Sequence, residues 1–266
     1  MEQQKIGLVA GRGSLPFEAA TEIRNRGLTP VIVGLEGETD NALSKEADFY
    51  CNLPVGQLER IISTFQSQGV SEVVFAGKVG KQALFSGQFD LRFQSLLTKL
   101  PQKNDDAILL AIVEEFQRGG ITVAKQTDYL ANLLAPVGVI FGAVTPLEMA
   151  DITLGFRMAK AMGDLDIGQS VVVKQGVVLA VEAIEGTDQA IIRGGGLGGP
   201  GAVVVKVSKP KQDERFDVPT VGRTTIESMC QVQAKVLAVE ANKTLIVGKD
   251  LLLPLLNKHQ ITLFAV

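Results

Sequence analysis

Between residues 206 and 222 the chain reads KVSKPKQDERFDVPTVG, which sets Lys206, Lys209, Lys211 and Arg215 among the acids Asp213, Glu214 and Asp217. Cations in such a run can neutralise phosphate oxygens, and Asp213 and Asp217 offer hard oxygen ligands of the kind Mg²⁺ prefers. The pattern suits an anionic ligand held together with a divalent metal ion. A charge run is equally a solvated loop, so the surrounding sequence has to decide.

Two further places could bring backbone donors to an anion. The strand IGLVA runs into Gly11-Arg12-Gly13-Ser14-Leu15-Pro16 and then into a helix, an arrangement in which N–H groups and the helix dipole cradle phosphate. The spacing departs from the dinucleotide fingerprint, because Pro16 follows where a third glycine would stand, and no P-loop lysine appears. Nicotinamide binding is therefore a weak alternative, and the glycines are also explained by a tight turn. Gly77-Lys78 ends a second apolar strand, 72–76, and in a parallel sheet would emerge on the same carboxyl edge. Lys78 is there either a phosphate ligand or a surface lysine. Glu182 and Glu185 lead into Gly186-Thr187-Asp188, and Arg193 precedes the glycine-rich stretch 194–201. That stretch reads as a turn exposing acids and backbone donors, or as a loop that needs no ligand.

His259 is the sole histidine. It falls near the end of an expected helix, where the dipole explains it without catalysis. No Ser-His-Asp or Cys-His relay can be assembled without it, and no His-rich metal site exists. Carboxylate and lysine chemistry remains, which points to an oxygen-ligated divalent metal and to phosphoryl transfer or pyrophosphate hydrolysis.

The elements that must position these residues alternate in the first half. Strands at 6–10, 30–35 and 72–76 are short and fully apolar, with helical spacing at 15–26 and 57–68, and a further helix opens at Asp105-Asp106 and stops at Gly119-Gly120. Such βαβ grammar predicts a parallel sheet covered on both faces, with its ligand crevice at the carboxyl ends of the strands. An apolar connection at 134–144 gives way to a helix opened by Thr145-Pro146. The second half holds a hairpin signal in QSVVVKQGVVLAVEA around Gln175-Gly176. Strands at 203–207, 236–239, 244–247 and 261–266 and helices at 224–234 and 250–259 complete a mixed α/β pattern. The expected fold class is α/β, with domains at 1–135 and 136–266.

The 266 residues suffice for two cores, and the formal net charge of −3 with no long basic run disfavours nucleic acid as a partner. Cys51 and Cys230 stand far apart, which suggests neither a disulfide framework nor a zinc site. The first thirteen residues lack a signal-peptide pattern and no apolar run approaches the ~20 residues of a membrane span. The expectation is a cytoplasmic protein.

The strings IGLVAGRGSLP, LDIGQSVVVKQGVVLAVEAIEGTD, VVVKVSKPKQDERFDVPTVG and LAVEANKTLIVGKDLLL, in this order, resemble the LpxI-type UDP-2,3-diacylglucosamine pyrophosphatases of lipid A biosynthesis. The resemblance implies a Rossmann-like N-terminal domain with a parallel sheet, a mixed α/β C-terminal domain and a substrate cavity between them. It implies hydrolysis of UDP-2,3-diacylglucosamine to 2,3-diacylglucosamine 1-phosphate and UMP, with water attacking the β-phosphorus and a divalent cation, Mg²⁺ or alternatively Mn²⁺, as cofactor. The essential acid of the family's R-x-D-[LV]-P motif falls on Asp217, within Arg215-Phe216-Asp217-Val218-Pro219, with Asp213 as a second metal candidate. Gly11, Gly13, Ser14, Leu15, Gly77 and Lys78 would bind substrate from the N-terminal domain, and Gly168, Gln169, Thr187 and Gln212 from the C-terminal domain. Lys206, Lys209 and Arg215 would offset the pyrophosphate charge. Leu15, Phe17, Phe85 and Phe89 are candidates for an acyl groove. Peripheral contact with the cytoplasmic face of the inner membrane follows from the lipid substrate, and a homodimer is among the assemblies open to the chain. The alternative reading is a non-catalytic UDP-sugar or lipid carrier of the same fold.

Overall fold

A computed structural model describes residues 3–80, 89–101 and 104–266. Phe85, proposed above for the acyl groove, lies outside the described residues. The chain divides into two compact units: Met1–Leu130 with Glu214–Phe216, and Ala131–Asp213 with Asp217–Val266.

In the first unit, β1 (Lys5–Ala10), β2 (Thr29–Leu35), β3 (Phe49–Leu53), β4 (Glu72–Ala76) and β5 (Thr122–Val123) form one sheet in the order β3-β2-β1-β4-β5. Every pairing in it is parallel. The apolar runs of β1, β2 and β4 are buried almost throughout, as a sheet covered on both faces requires. Helices α1 (Leu15–Asn25), α2 (Leu58–Ser67), α3 (Leu91–Lys99), α4 (Asp105–Arg118) and α5 (Gln126–Leu130) accompany the strands. Phe65, Phe93 and Phe116 are fully buried in the core of this unit, and Phe216 packs against it. Asp90 ties α2 to α3, because its two carboxylate oxygens accept from Glu59 N (2.7 Å) and Phe93 N (2.8 Å). Strand β3 and helix α3 escape the sequence reading, since FYCNL mixes polar with apolar residues and α3 carries only two buried side chains, Phe93 and Leu96.

The second unit is built on a six-stranded mixed sheet. Its order is β6 (Gly138–Phe141), β13 (Thr262–Ala265), β11 (Val236–Val239), β9 (Val203–Lys206), β7 (Ser170–Lys174), β8 (Val177–Val181). The central β13, β11 and β9 are parallel, while β6, β7 and β8 join antiparallel. Strand β12 (Leu245–Ile246) pairs with β10 (Thr220–Val221) in a separate two-stranded sheet. Strand alternation splits the core. Val203 and Val205 pack with Ile152 and Ala159 of α6 (Pro146–Asp164), and Val204 and Leu237 pack with Ile226 and Leu252 of α8 (Arg223–Gln231) and α9 (Lys249–His259).

Local signals explain several boundaries. Thr145 and Glu148 form a reciprocal capping box at the start of α6, with Pro146 in its first turn. Gln175 (φ 50°) and Gly176 (φ 77°) occupy the left-handed region that a two-residue hairpin turn demands. Asp151 of α6 locks that turn by accepting from Gln175 N (2.8 Å) and Gly176 N (2.7 Å). The glycine-rich stretch corrects the sequence reading: residues up to Gly198 belong to helix α7 (Thr187–Gly198) and form no turn. A Cβ on Gly194 would stand 2.7 Å from Val172 Cβ, and one on Gly195 would stand 2.3 Å from Val232 Cγ2. The glycines there permit close packing, and helix propensity yields to it. Among the described residues no helix is long and apolar enough to cross a membrane.

Candidate active site

In the second unit the candidate residues gather where β9 ends, β7 begins and β8 ends. Ser170 and Lys206 are paired across the β7–β9 ladder. Lys206 is buried, with 7% of its surface exposed, and its Nζ donates to Thr187 Oγ1 (3.2 Å) and to the Thr220 carbonyl (3.0 Å). Thr187, the first residue of α7, donates in turn to Glu182 Oε1 (2.9 Å) and lies 3.3 Å from Ser170 Oγ. The other Glu182 oxygen accepts from Gln169 N (3.3 Å). Glu182 is itself buried, so a cation, a hydroxyl and a carboxylate are aligned in a place with little water. Gly168 has a structural reason independent of any ligand: a Cβ there would stand 2.3 Å from the Glu182 carbonyl oxygen.

The loop after β9 carries the remaining charged candidates. Gln212 organises it, with Oε1 accepting from Lys209 N (2.8 Å) and Ser208 Oγ (3.0 Å), and Nε2 donating to Asp217 Oδ2 (2.8 Å) and Gln169 Oε1 (3.4 Å). Lys209 Nζ pairs with Asp166 Oδ1 at 2.9 Å and stands 3.9 Å from Asp217 Oδ2. Asp217 N closes back on the Asp213 carbonyl at 2.9 Å. The structure thus brings Gln169, Thr187, Lys206, Lys209, Gln212 and Asp217 into one linked network. Arg215 belongs with the first unit, in the segment Glu214–Phe216, where the Glu214 carbonyl accepts from Gln126 N (2.8 Å) and its carboxylate pairs with Lys125 (2.8 Å).

The first unit holds the other group. Arg12 and Lys78 form an isolated antiparallel bridge, with Arg12 N to Lys78 O at 2.7 Å and Lys78 N to Arg12 O at 3.0 Å. The two loops meet at the carboxyl ends of β1 and β4, the strands between which the order reverses, and ligands of open α/β sheets bind outside that point. A Cβ on Gly11 would sit 2.5 Å from the Lys78 carbonyl oxygen, and one on Gly77 (φ 95°) 2.8 Å from the Gly11 carbonyl carbon. These glycines let the loops touch. Ser14 stands at the N-cap of α1 without a side-chain capping bond, and Leu15 is the first helical residue. Gly13 (φ 100°) has open space around its Cα. The sequence reading passed over Glu38: its carboxylate is nearly buried, pairs with Arg12 at 2.7 Å and accepts from Gly80 N at 3.1 Å.

Among the described residues no three His, Cys, Asp or Glu side chains converge into a metal cage. Asp213 and Asp217 are instead two carboxylates four residues apart on one closed turn. That donor set fits Mg²⁺, which takes one or two protein carboxylates and completes its octahedron with water and phosphate oxygens. Among the described residues Glu240, Lys160 and Ser208 were not anticipated. For Ser208 and Glu240 a signal was available, since they follow the apolar strands β9 and β11 at the carboxyl edge of the parallel core.

Comparison with known proteins decides the family. Residues 5–133 match the LpxI N-terminal domain and residues 137–264 the LpxI C-terminal domain. The chain belongs to the LpxI family. A relative 32% identical over 262 residues, covering 93% of this chain and 92% of its own length, is the UDP-2,3-diacylglucosamine pyrophosphatase LpxI of Caulobacter vibrioides. Solved structures resemble this LpxI-family chain faintly. A UDP-glucose-4-epimerase of Stenotrophomonas maltophila with bound NAD is 13% identical, with 45% of this chain and 35% of that chain covered and a TM-score of 0.31. A biotin carboxylase of Campylobacter jejuni is 16% identical, with 74% and 42% covered and a TM-score of 0.30. The chain spans less than half of either structure, and neither likeness carries any weight for the site.

Proposed function

We propose that this LpxI-family chain hydrolyses the pyrophosphate bond of UDP-2,3-diacylglucosamine in lipid A biosynthesis. Water attacks the β-phosphorus, the bond from that phosphorus to the bridging oxygen breaks, and UMP and 2,3-diacylglucosamine 1-phosphate leave. The observation that carries this reading is the match of both halves of the chain to one family whose 32% identical relative bears that activity in its name. The local geometry supports it. A buried lysine, Lys206, and a second cation, Lys209, belong to the same hydrogen-bonded network as Asp217, which is what a doubly charged phosphoanhydride and an attacking water require.

In this reading Asp217 orients the attacking water or holds Mg²⁺, Asp213 is the second metal ligand, and Mn²⁺ is the alternative ion. The metal, when bound, neutralises charge developing on the phosphoryl oxygens. Lys206, Lys209 and Arg215 offset the pyrophosphate charge, and Gln212 keeps the Asp217 carboxylate in place. Gln169, Thr187 and Gly168 contribute polar or close backbone contacts to substrate. The strand order of the first unit supports a Rossmann-like reading of it, in which Gly11, Gly13, Ser14, Leu15, Gly77 and Lys78 bind substrate at the carboxyl edge. A substrate with two acyl chains brings the protein to the cytoplasmic face of the membrane as a peripheral visitor.

The test is incubation of the purified chain with UDP-2,3-diacylglucosamine and Mg²⁺, with and without excess chelator. The expected result is UMP and the lipid 1-phosphate in equal amounts, lost on chelation. Asp217→Ala is expected to retain the fold and lose turnover. Intact substrate with the parent protein, with binding shown separately, would move the assignment to a carrier.

A further inference from the structure

Outside the residues assigned so far, one ion pair, between a buried carboxylate and a partly buried lysine, grips the loop that carries Asp217. Glu240 follows β11, is 8% exposed, and extends the ladder by donating its backbone N–H to the Lys206 carbonyl (3.2 Å). Its Oε2 accepts from Ser208 N (2.8 Å) and from Lys160 Nζ (2.6 Å). The same Lys160 Nζ donates to the Ser208 carbonyl (2.8 Å). Both polar backbone atoms of Ser208 are therefore held by the two halves of one ion pair. Lys243, which is mostly exposed, reaches the other Glu240 oxygen at 3.1 Å.

From Ser208 the constraint runs to the candidate catalytic acid in two steps. Ser208 Oγ and Lys209 N both donate to Gln212 Oε1, at 3.0 and 2.8 Å, and Gln212 Nε2 donates to Asp217 Oδ2 at 2.8 Å. The carboxamide is planar, so fixing its oxygen by two donors fixes the direction of its N–H groups. A purely stabilising role explains the pair poorly, because a partly exposed ion pair contributes little net stability. A geometric role explains why both charges converge on the backbone of one serine.

We infer that Lys160 and Glu240 are positioning residues for Asp217, acting through Ser208 and Gln212 without touching substrate. The inference rests on the pyrophosphatase reading, in which Asp217 acts on the attacking water or the metal. A displacement of about 1 Å at a reacting group from a change remote from the chemistry costs about a hundredfold in rate, so the pair should govern kcat far more than KM.

The experiment compares the parent chain with Glu240→Ala, Glu240→Gln and Lys160→Met. It reads kcat and KM on UDP-2,3-diacylglucosamine with Mg²⁺, the melting temperature, and amide hydrogen exchange of peptides covering 208–217. Glu240→Ala is expected to lower kcat about 10- to 100-fold, to leave KM within about threefold, and to speed exchange in 208–217. Glu240→Gln keeps an acceptor for Ser208 N–H and is expected to recover much of the lost kcat. A lower melting temperature with parental kcat per folded molecule and parental exchange would overturn the inference. Lys160→Met removes the donor to both Glu240 and the Ser208 carbonyl and is expected to lower kcat and speed exchange as well. If Glu240→Ala does not fold, parental kcat and exchange in Lys160→Met therefore overturn it equally. If the parent releases no UMP, the pyrophosphatase reading fails by itself, and the exchange data still decide whether the pair orders the loop.

Discussion

Three consecutive glycines in α7 offer a matched test of why glycine stands there. An alanine gains about 0.8–1 kcal/mol over glycine from helix propensity alone, so each Gly→Ala change starts with the same favourable increment. At Gly196, which is exposed, a Cβ would meet nothing within 4 Å, and Gly196→Ala should stabilise by up to about 1 kcal/mol. At Gly195 the added Cβ would lie 2.3 Å from Val232 Cγ2 and 2.4 Å from Val232 Cβ, more than an ångström inside the ~3.5–4.0 Å optimum for carbon pairs. Rotation of Val232 cannot move its own Cβ aside, so helix α7 itself must shift. Overpacking of that kind costs about 1–3 kcal/mol, towards the upper end here. After the propensity gain is subtracted, Gly195→Ala should destabilise by about 1–2 kcal/mol. Gly194→Ala should follow it, because its Cβ would lie 2.7 Å from Val172 Cβ and 2.9 Å from Ala180 Cβ. Urea unfolding of the variants, with thermal scans alongside, should therefore separate Gly196→Ala from Gly195→Ala by about 2–3 kcal/mol, or about 4–12 °C in Tm. Equal stability of the two variants would refute the packing account and return the stretch to the reading of an unconstrained loop.

Other outcomes follow from single contacts. Asp151→Ala should destabilise by about 1–3 kcal/mol in urea titration, since it strips the acceptor from two hairpin amides, and Asp151→Asn should recover part of the loss. Gln212→Leu should lower kcat about 10- to 100-fold with KM little changed, because Asp217 loses its orienting donor. In acid, two groups set the direction of the stability change. Burial pushes the Glu240 carboxyl up, but hydrogen bonds from Lys160, the Ser208 N–H and Lys243 together hold it below its ordinary 4.5. Burial likewise opposes, and Arg92 and Arg118 outweigh, in holding Glu115 below the same value. A carboxyl depressed in the folded state stabilises fully above its unfolded value, and that stability is lost as pH falls through the folded value. Urea midpoints should therefore stay flat above pH 4.5 on account of these groups and fall below it, with a shallower fall in Glu115→Gln and Glu240→Gln.

Much of the fold was legible because its strands are short, apolar and bounded by turn residues. The run IGLVA, the Thr145-Pro146 helix start and the Gln175-Gly176 hairpin each carry their signal within a few residues. Strand β3 was not legible, because Phe49, Tyr50 and Cys51 are only half-buried at the edge of the sheet and Asn52 is exposed. The glycines of α7 misled for the opposite reason: helix propensity is a local quantity, while the close approach of Val172, Ala180 and Val232 is tertiary. Residue types in the charge run gave the candidates Lys206, Lys209 and Asp217, and Gln212 came from the family resemblance. The partnership of Glu240 with Ser208 joins residues 32 apart in sequence, and no local pattern reports such a pairing.

The three residues Glu214–Phe216 bear on how the protein can be taken apart. A fragment that stopped at Leu130 would lack the aromatic ring of Phe216 that packs against its core and the Glu214 carbonyl that receives Gln126 N. Gene dissection after Leu130 would thus yield an amino-terminal piece lacking a tripeptide from more than eighty residues downstream that belongs to the same compact unit. Independent production of that half would call for a grafted tripeptide or a circular rearrangement of the coding order, and a simple stop codon would not supply one.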